Sequence, residues 1–93
     1  MQKGLFVKVL CRRVSVSRSL MKYLQKKLMD WTKFRAMDMD QSDIRFEVKF
    51  DRHGNGHQFD CYTRVSSQMG EWFAIAWGRN PQEAFKKCLS QLG

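Results

Sequence analysis

His53, His57 and Cys61 stand four residues apart in sequence, and imidazole and thiolate are ligands that zinc favours. The spacing works against a shared ion. His53 falls in a Gly/Asn-rich turn, and in an extended strand His57 and Cys61 lie about 13 Å apart at roughly 3.3 Å per residue. Zinc also usually takes four ligands. Each histidine is read as satisfied or exposed, and Cys61 as a core residue. Asp38, Asp40 and Asp43 could be imagined around a cation, but their segment lacks the glycine and bidentate glutamate of a calcium loop. It is read as a solvated acidic loop. Covalent or acid–base chemistry needs a base within reach of its partner, and no nucleophile elbow, carboxylate pair or phosphate-cradling glycine pattern occurs. The expectation is a protein that is not an enzyme, with no catalytic residue, metal, cofactor or small-molecule substrate.

The chemistry that remains is electrostatic. The chain has 93 residues, with 17 Lys and Arg against 9 Asp and Glu, a net charge of +8. For so small a domain this predicts attraction to a polyanion, whether RNA, DNA or an anionic membrane. Arg12 and Arg13 close the first apolar segment, and Arg18, Lys22, Lys26, Lys27, Lys33 and Arg35 follow. Arg79, Lys86 and Lys87 cluster near the C-terminus. These eleven residues are the candidate RNA-binding set.

Two helices must position most of them. Ser17 suits an N-cap, because its hydroxyl can accept from an orphan N–H of the first turn. Leu20, Leu24, Leu28 and Trp31 then recur at helical spacing over 17–34. Arg18, Lys22, Lys26 and Lys33 fall on the opposite arc, with Lys27 at the border. Taken alone, such a face reads equally well as a solvated one. The second helix starts at Asn80, with Pro81 at its first position and Glu83 completing a capping-box-like pair. It packs through Ala84, Phe85, Cys88, Leu89 and Leu92 and turns Lys86, Lys87 and Ser90 outward.

Strands supply the rest. Leu5, Val7, Val9 and Cys11 alternate with Phe6, Lys8, Leu10 and Arg12, which predicts a strand over 4–13. Residues 35–43 lose both periodicities and read as a loop. Ile44, Phe46, Val48 and Phe50 alternate with Arg45, Glu47, Lys49 and Asp51, a strand with one face on a core and one in water. His53-Gly54-Asn55-Gly56 is a hairpin signal. A third strand covers 57–66, with Phe59, Cys61, Thr63 and Val65 inward. After a turn at 67–70, a fourth covers 71–78 and is apolar on both faces.

The order β-α-β-β-β-α predicts an α+β fold, a four-stranded mixed sheet with two helices on one face, like a double-stranded RNA-binding domain. The first two strands should be parallel and the rest antiparallel. One domain spans 1–93. With both helices on one side, their outward charges could form one surface suited to phosphates. The other sheet face interleaves Arg45, Lys49, Tyr62 and Arg64 with Glu47, Asp51 and Asp60. It is expected to lack the exposed aromatics that single-strand stacking needs, and Trp72, Phe73 and Trp77 are read as core or rim.

Cys11, Cys61 and Cys88 are odd in number and widely spaced, so free thiols are expected, with Cys61 and Cys88 in the core. The opening segment is short and interrupted by Lys8, unlike a signal peptide. Leu10-Cys11 only weakly matches a lipoprotein site and has no leader before it. No run reaches the length of a membrane span. A cytoplasmic protein with no membrane partner is expected.

Several strings carry a resemblance. A first strand is followed by Arg13-Val14-Ser15-Val16-Ser17, a valine segment and a Ser cap. Leu24-Gln25-Lys26-Lys27-Leu28 and Trp31-Thr32-Lys33-Phe34 place basic residues before a leucine and an aromatic. Asp43-Ile44-Arg45-Phe46-Glu47-Val48 forms the second strand, and His57 sits near the start of the third. In order and spacing, over nearly the whole chain, this resembles the ribosome hibernation-promoting factors, the sigma-54 modulation or ribosomal Y-protein family. The resemblance implies a stress-response protein that binds rRNA of the small ribosomal subunit in the decoding channel. There it would hold ribosomes inactive during stress or stationary phase, and it is expected to be monomeric off the ribosome. Lys27 and Lys33 carry over as rRNA contacts. The last helix departs from the pattern, with Asn80-Pro81-Gln82 and Phe85-Lys86 where the family has an Asp-Met-Tyr-like start and an Ile-Asp step. The basic extension that often follows that helix has no counterpart in these 93 residues, and Lys86 and Lys87 would substitute for it.

The alternative is a double-stranded RNA-binding module, whose α-β-β-β-α order this chain contains. Its Lys-Lys-x-Ala-Lys-like helix start is missing, as Asn80 to Ala84 shows, and it needs no first strand. An interaction module whose basic surface meets an acidic protein is a third reading.

Overall fold

The computed structural model describes residues 5–34, 43–53, 56–68 and 70–92. The elements run β1 (Leu5–Arg12), α1 (Arg18–Phe34), β2 (Ile44–Arg52), β3 (Phe59–Ser67), β4 (Gly70–Gly78) and α2 (Pro81–Leu92). This is the expected β-α-β-β-β-α order. The strands form one sheet in the order β1-β2-β3-β4. β1 pairs parallel with β2, Val9 opposite Val48, and the two later pairings are antiparallel. Boundaries differ from the sequence reading by a residue or two. β3 begins at Phe59 rather than His57, because the Gln58 carbonyl accepts from the His53 N–H and His57 and Gln58 stay outside the ladder.

One core joins the sheet to both helices. Leu20, Leu24, Leu28 and Trp31 of α1 meet Ile44, Phe46, Val48 and Phe50 of β2 and Ala84, Phe85, Cys88 and Leu92 of α2. Trp31 packs edge-on against Phe46 and Trp72, at 6.0 and 5.8 Å between ring centroids. Those two rings are the ends of a row, Phe46–Val65–Trp72, in register across β2, β3 and β4. Tyr23 meets Phe85 edge-on at 6.1 Å and ties α1 to α2.

β4 corrects the sequence reading. Its core side carries Ala74, Ala76 and Gly78, while Phe73, Ile75 and Trp77 face solvent. The reason is the close approach of α2. A Cβ at Gly78 would lie 2.7 Å from the Ala84 nitrogen, and the Cys88 thiol donates to the Cys61 and Ala74 carbonyls at 3.1 and 3.2 Å. The strand beneath α2 needs small residues, so its bulk goes outward. Cys61 and Cys88 are free and buried, as expected, and Cys11 is exposed. The Cys88 thiol beside it, together with burial, pushes the Cys61 thiol well above the usual range.

Backbone conformation marks two joints. Arg13, just after β1, has φ of 59°, a left-handed conformation uncommon outside glycine. Gly70, opposite Ser67 at the β3–β4 turn, has φ of 137°, which glycine alone adopts readily. Among the described residues no helix is long and apolar enough to cross a membrane.

Candidate nucleic-acid interface

α1 starts where the Ser17 hydroxyl accepts from the Leu20 N–H at 3.1 Å. This fixes the helical phase, so that burying Leu20, Leu24, Leu28 and Trp31 turns Arg18, Lys22, Lys26 and Lys33 into solvent. Lys27, at the border, extends its ammonium 5.6 Å from the centre of the Tyr23 ring. Among the described residues none of the ion pairs engages an α1 cation; they join Arg45 to Asp43, Lys49 to Glu47, His53 to Asp60, Arg64 to Glu71 and Lys87 to Glu83. The helix therefore presents five positive charges against a single acid, Asp30.

α2 is capped in the same way, the Asn80 side-chain oxygen accepting from the Glu83 N–H at 2.8 Å. Lys86 is exposed. Lys87 is held at 3.3 Å from Glu83 and 5.2 Å from the centre of the Trp77 ring. Between the helices runs an open cleft of about 710 Å³, lined by Tyr23, Lys27, Glu83, Lys86, Lys87 and Leu89 among others. It continues at the helix starts into a second hollow lined by Ser15, Ser17, Ser19, Tyr23, Asn80 and Gln82. Both helices thus point their N-termini at one hollow, and the partial positive charge there favours anions. The combination places ammonium groups on the walls and helix starts at one end.

The opposite sheet face is electrostatically different. Each β2 or β3 cation on it has an acid partner. Arg64 also donates from Nε to Glu71 at 3.1 Å, and this hydrogen bond and charge hold the Glu71 carboxyl below the ordinary carboxylate range. The same contact raises the Arg64 guanidinium.

The structure brings Lys27 of α1 together with Lys86 and Lys87 of α2 on one cleft; Arg18, Lys22, Lys26 and Lys33 are exposed along α1, and Arg79 is exposed just before α2. It does not bring Arg12 to them. Arg12 lies in register with Asp51 on the open sheet face, because it shares the phase of Phe6, Lys8 and Leu10. Arg13 occupies the left-handed joint leading toward α1. Arg35, Asp38 and Asp40 lie outside the described residues. The histidines do not converge with Cys61. His53 contacts the Asp60 carboxylate, His57 is exposed and Cys61 is buried beneath α2. Among the described residues no cluster of three or more His, Cys, Asp or Glu could hold a metal.

Two features were missed in sequence. Tyr23 forms the floor shared by both hollows, and its position one turn from Lys27 was the available signal. The second is an exposed apolar row, Phe73, Ile75 and Trp77, with Phe6 and Leu10 at the far edge. The expectation that this face lacks exposed aromatics is therefore overturned.

No protein-family model matches the sequence, and no curated protein matches it. Its fold does match solved structures. The N-terminal domain of Protein Y from Thermus thermophilus superposes with a TM-score of 0.74 at 12% identity, covering 96% of this chain and 90% of that one. A ribosomal subunit interface protein from Coxiella burnetii gives 0.70 at 15% identity, covering 94% and 88%. The chain has the fold of the ribosomal Y-protein family, the one that its sequence resembles.

Proposed function

We propose that this chain is a single ribosome-binding domain that seats the basic side of α1 and α2 on rRNA of the small ribosomal subunit. In the decoding channel it would occupy the path of mRNA and tRNA and hold ribosomes inactive under stress or stationary phase. It works by binding rather than catalysis, in the cytoplasm, as a monomer when off the ribosome. The observation that supports this most is the asymmetry of charge pairing. The open-face cations Arg45, Lys49 and Arg64 have acid partners, while those of α1 are left without acid partners among the described residues. Unpaired cations on a rigid helix release counterions when they meet phosphates. Similarity of fold to a protein named for the ribosomal subunit interface points the same way.

Cell-free translation tests the silencing step. Protein added in equal number to ribosomes should suppress synthesis, and small subunits preloaded with mRNA and initiator tRNA should be protected. Full translation at a several-fold excess of protein would refute silencing. Tight binding to free duplex RNA of arbitrary sequence, with no preference for small subunits, would favour the duplex RNA-binding alternative.

A further inference from the structure

The apolar row on β4 has no role in the surface described above. Phe73, Ile75 and Trp77 are 71%, 60% and 56% exposed. They point the same way along one strand, so neighbours are about 6.6–6.8 Å apart. Tyr62 stands opposite Ile75 in register. Rows of exposed aromatics are where unpaired bases stack, because every base offers a π-face.

Three observations distinguish a base-stacking platform from a bare apolar patch. Cations already sit on its rings: the Lys49 ammonium is 5.5 Å from the centre of Tyr62 and that of Lys87 5.2 Å from the centre of Trp77. The acids that adjoin the row are engaged, Glu71 by Arg64 and Ser66, Asp60 by His53 and Gln58. And the row is continuous with the basic helices. β4 is the outer strand of the sheet, and Lys87 of α2 reaches across that edge to Trp77.

We propose that unpaired RNA nucleotides stack on Phe73 and Trp77, with their phosphates drawn to Lys86 and Arg79 around the β4 edge. The inference rests on the reading that the chain binds RNA, and it adds a second, single-stranded contact on the other side of that edge.

The test is fluorescence anisotropy with a labelled twelve-nucleotide oligouridylate, alongside pelleting with small ribosomal subunits. Phe73→Ala and Trp77→Ala should each weaken oligouridylate binding roughly 5- to 150-fold, the range of one lost base stack, without changing the salt slope. Trp77→Phe and Phe73→Tyr should restore most of the affinity, which a merely structural role would not require. Unchanged affinity in both alanine variants overturns the proposal. If the parent chain pellets with small subunits but ignores oligouridylate, stacking fails and ribosome binding stands; if it does neither, both fail. Self-association abolished by the alanine variants, with oligouridylate affinity intact, would make the row a contact between copies and overturn the stacking proposal.

Discussion

Replacing Lys22, Lys26, Lys27 and Lys33 together with alanine should collapse RNA affinity by an amount that their geometry sets. All four are exposed on α1, and none is in an ion pair among the described residues, so each is free to meet a phosphate. From Lys22 to Lys33 the helix rises about 16 Å at 1.5 Å per residue, a ridge long enough to track several phosphates. Each contact contributes about 0.7–0.9 to the slope of log affinity against log salt. If all four make contact, the slope falls by roughly 2.8–3.6, which at 0.1 M salt is a loss of about 600- to 4,000-fold. The assay is binding of the labelled RNA, or of small subunits, over a salt series. Thermal unfolding should change little, because exposed substitutions usually cost within about 0.5 kcal/mol. The contrast is Arg45→Ala, whose guanidinium is already paired with Asp43 at 4.0 Å; its slope should match the parent. A quadruple variant with unchanged slope would refute the reasoning and leave α1 a merely solvated face.

Gly78→Ala should destabilise the fold by about 1–3 kcal/mol or more, since its Cβ would sit 2.7 Å from the Ala84 backbone nitrogen. Melting temperature should fall about 4–8 °C for each kcal/mol, and a drop under 2 °C would contradict the close approach of α2. Ser17→Ala removes the cap that accepts from Leu20 N–H and should cost about 0.5–2 kcal/mol in denaturant unfolding; Ser17→Asp should recover it. Glu71 should titrate by NMR below ordinary glutamates, because Arg64 favours its charged form. A depressed carboxyl adds stability above its unfolded pKa and loses it as pH falls through the folded one, so the pair weakens only in acid. Arg64→Ala should return Glu71 to the ordinary range.

What could be read from the chain followed from how one-sided each pattern is. From Ile44 to Asp51 β2 alternates apolar with charged residues, so its phase and its two faces were both legible. The stripe Leu20, Leu24, Leu28 and Trp31 fixed the outward direction of the α1 lysines in the same way. β4 is apolar on both sides, and its phase is decided by a tertiary fact, the approach of α2 onto Ala74, Ala76 and Gly78. The size alternation, small residues against Phe73, Ile75 and Trp77, was the only local sign of it. The pairing of Arg64 with Glu71 needs cross-strand register, whereas Arg45 with Asp43 and Lys49 with Glu47 stand two residues apart in sequence. The cleft needs the packing of Tyr23 on Phe85, a contact between helices about sixty residues apart in sequence. Arg12 was misgrouped by nearness in sequence to Arg13 and Arg18, although its strand phase already assigned it to the opposite face.

The central claim is that the basic helices seat on the small ribosomal subunit. Cosedimentation of the purified chain with small subunits, repeated over a salt series, tests it most directly. The predicted result is stoichiometric pelleting at low salt that declines steeply as salt rises and is lost in the Lys22, Lys26, Lys27 and Lys33 variant. A chain that stays in the supernatant even at the lowest salt would contradict it.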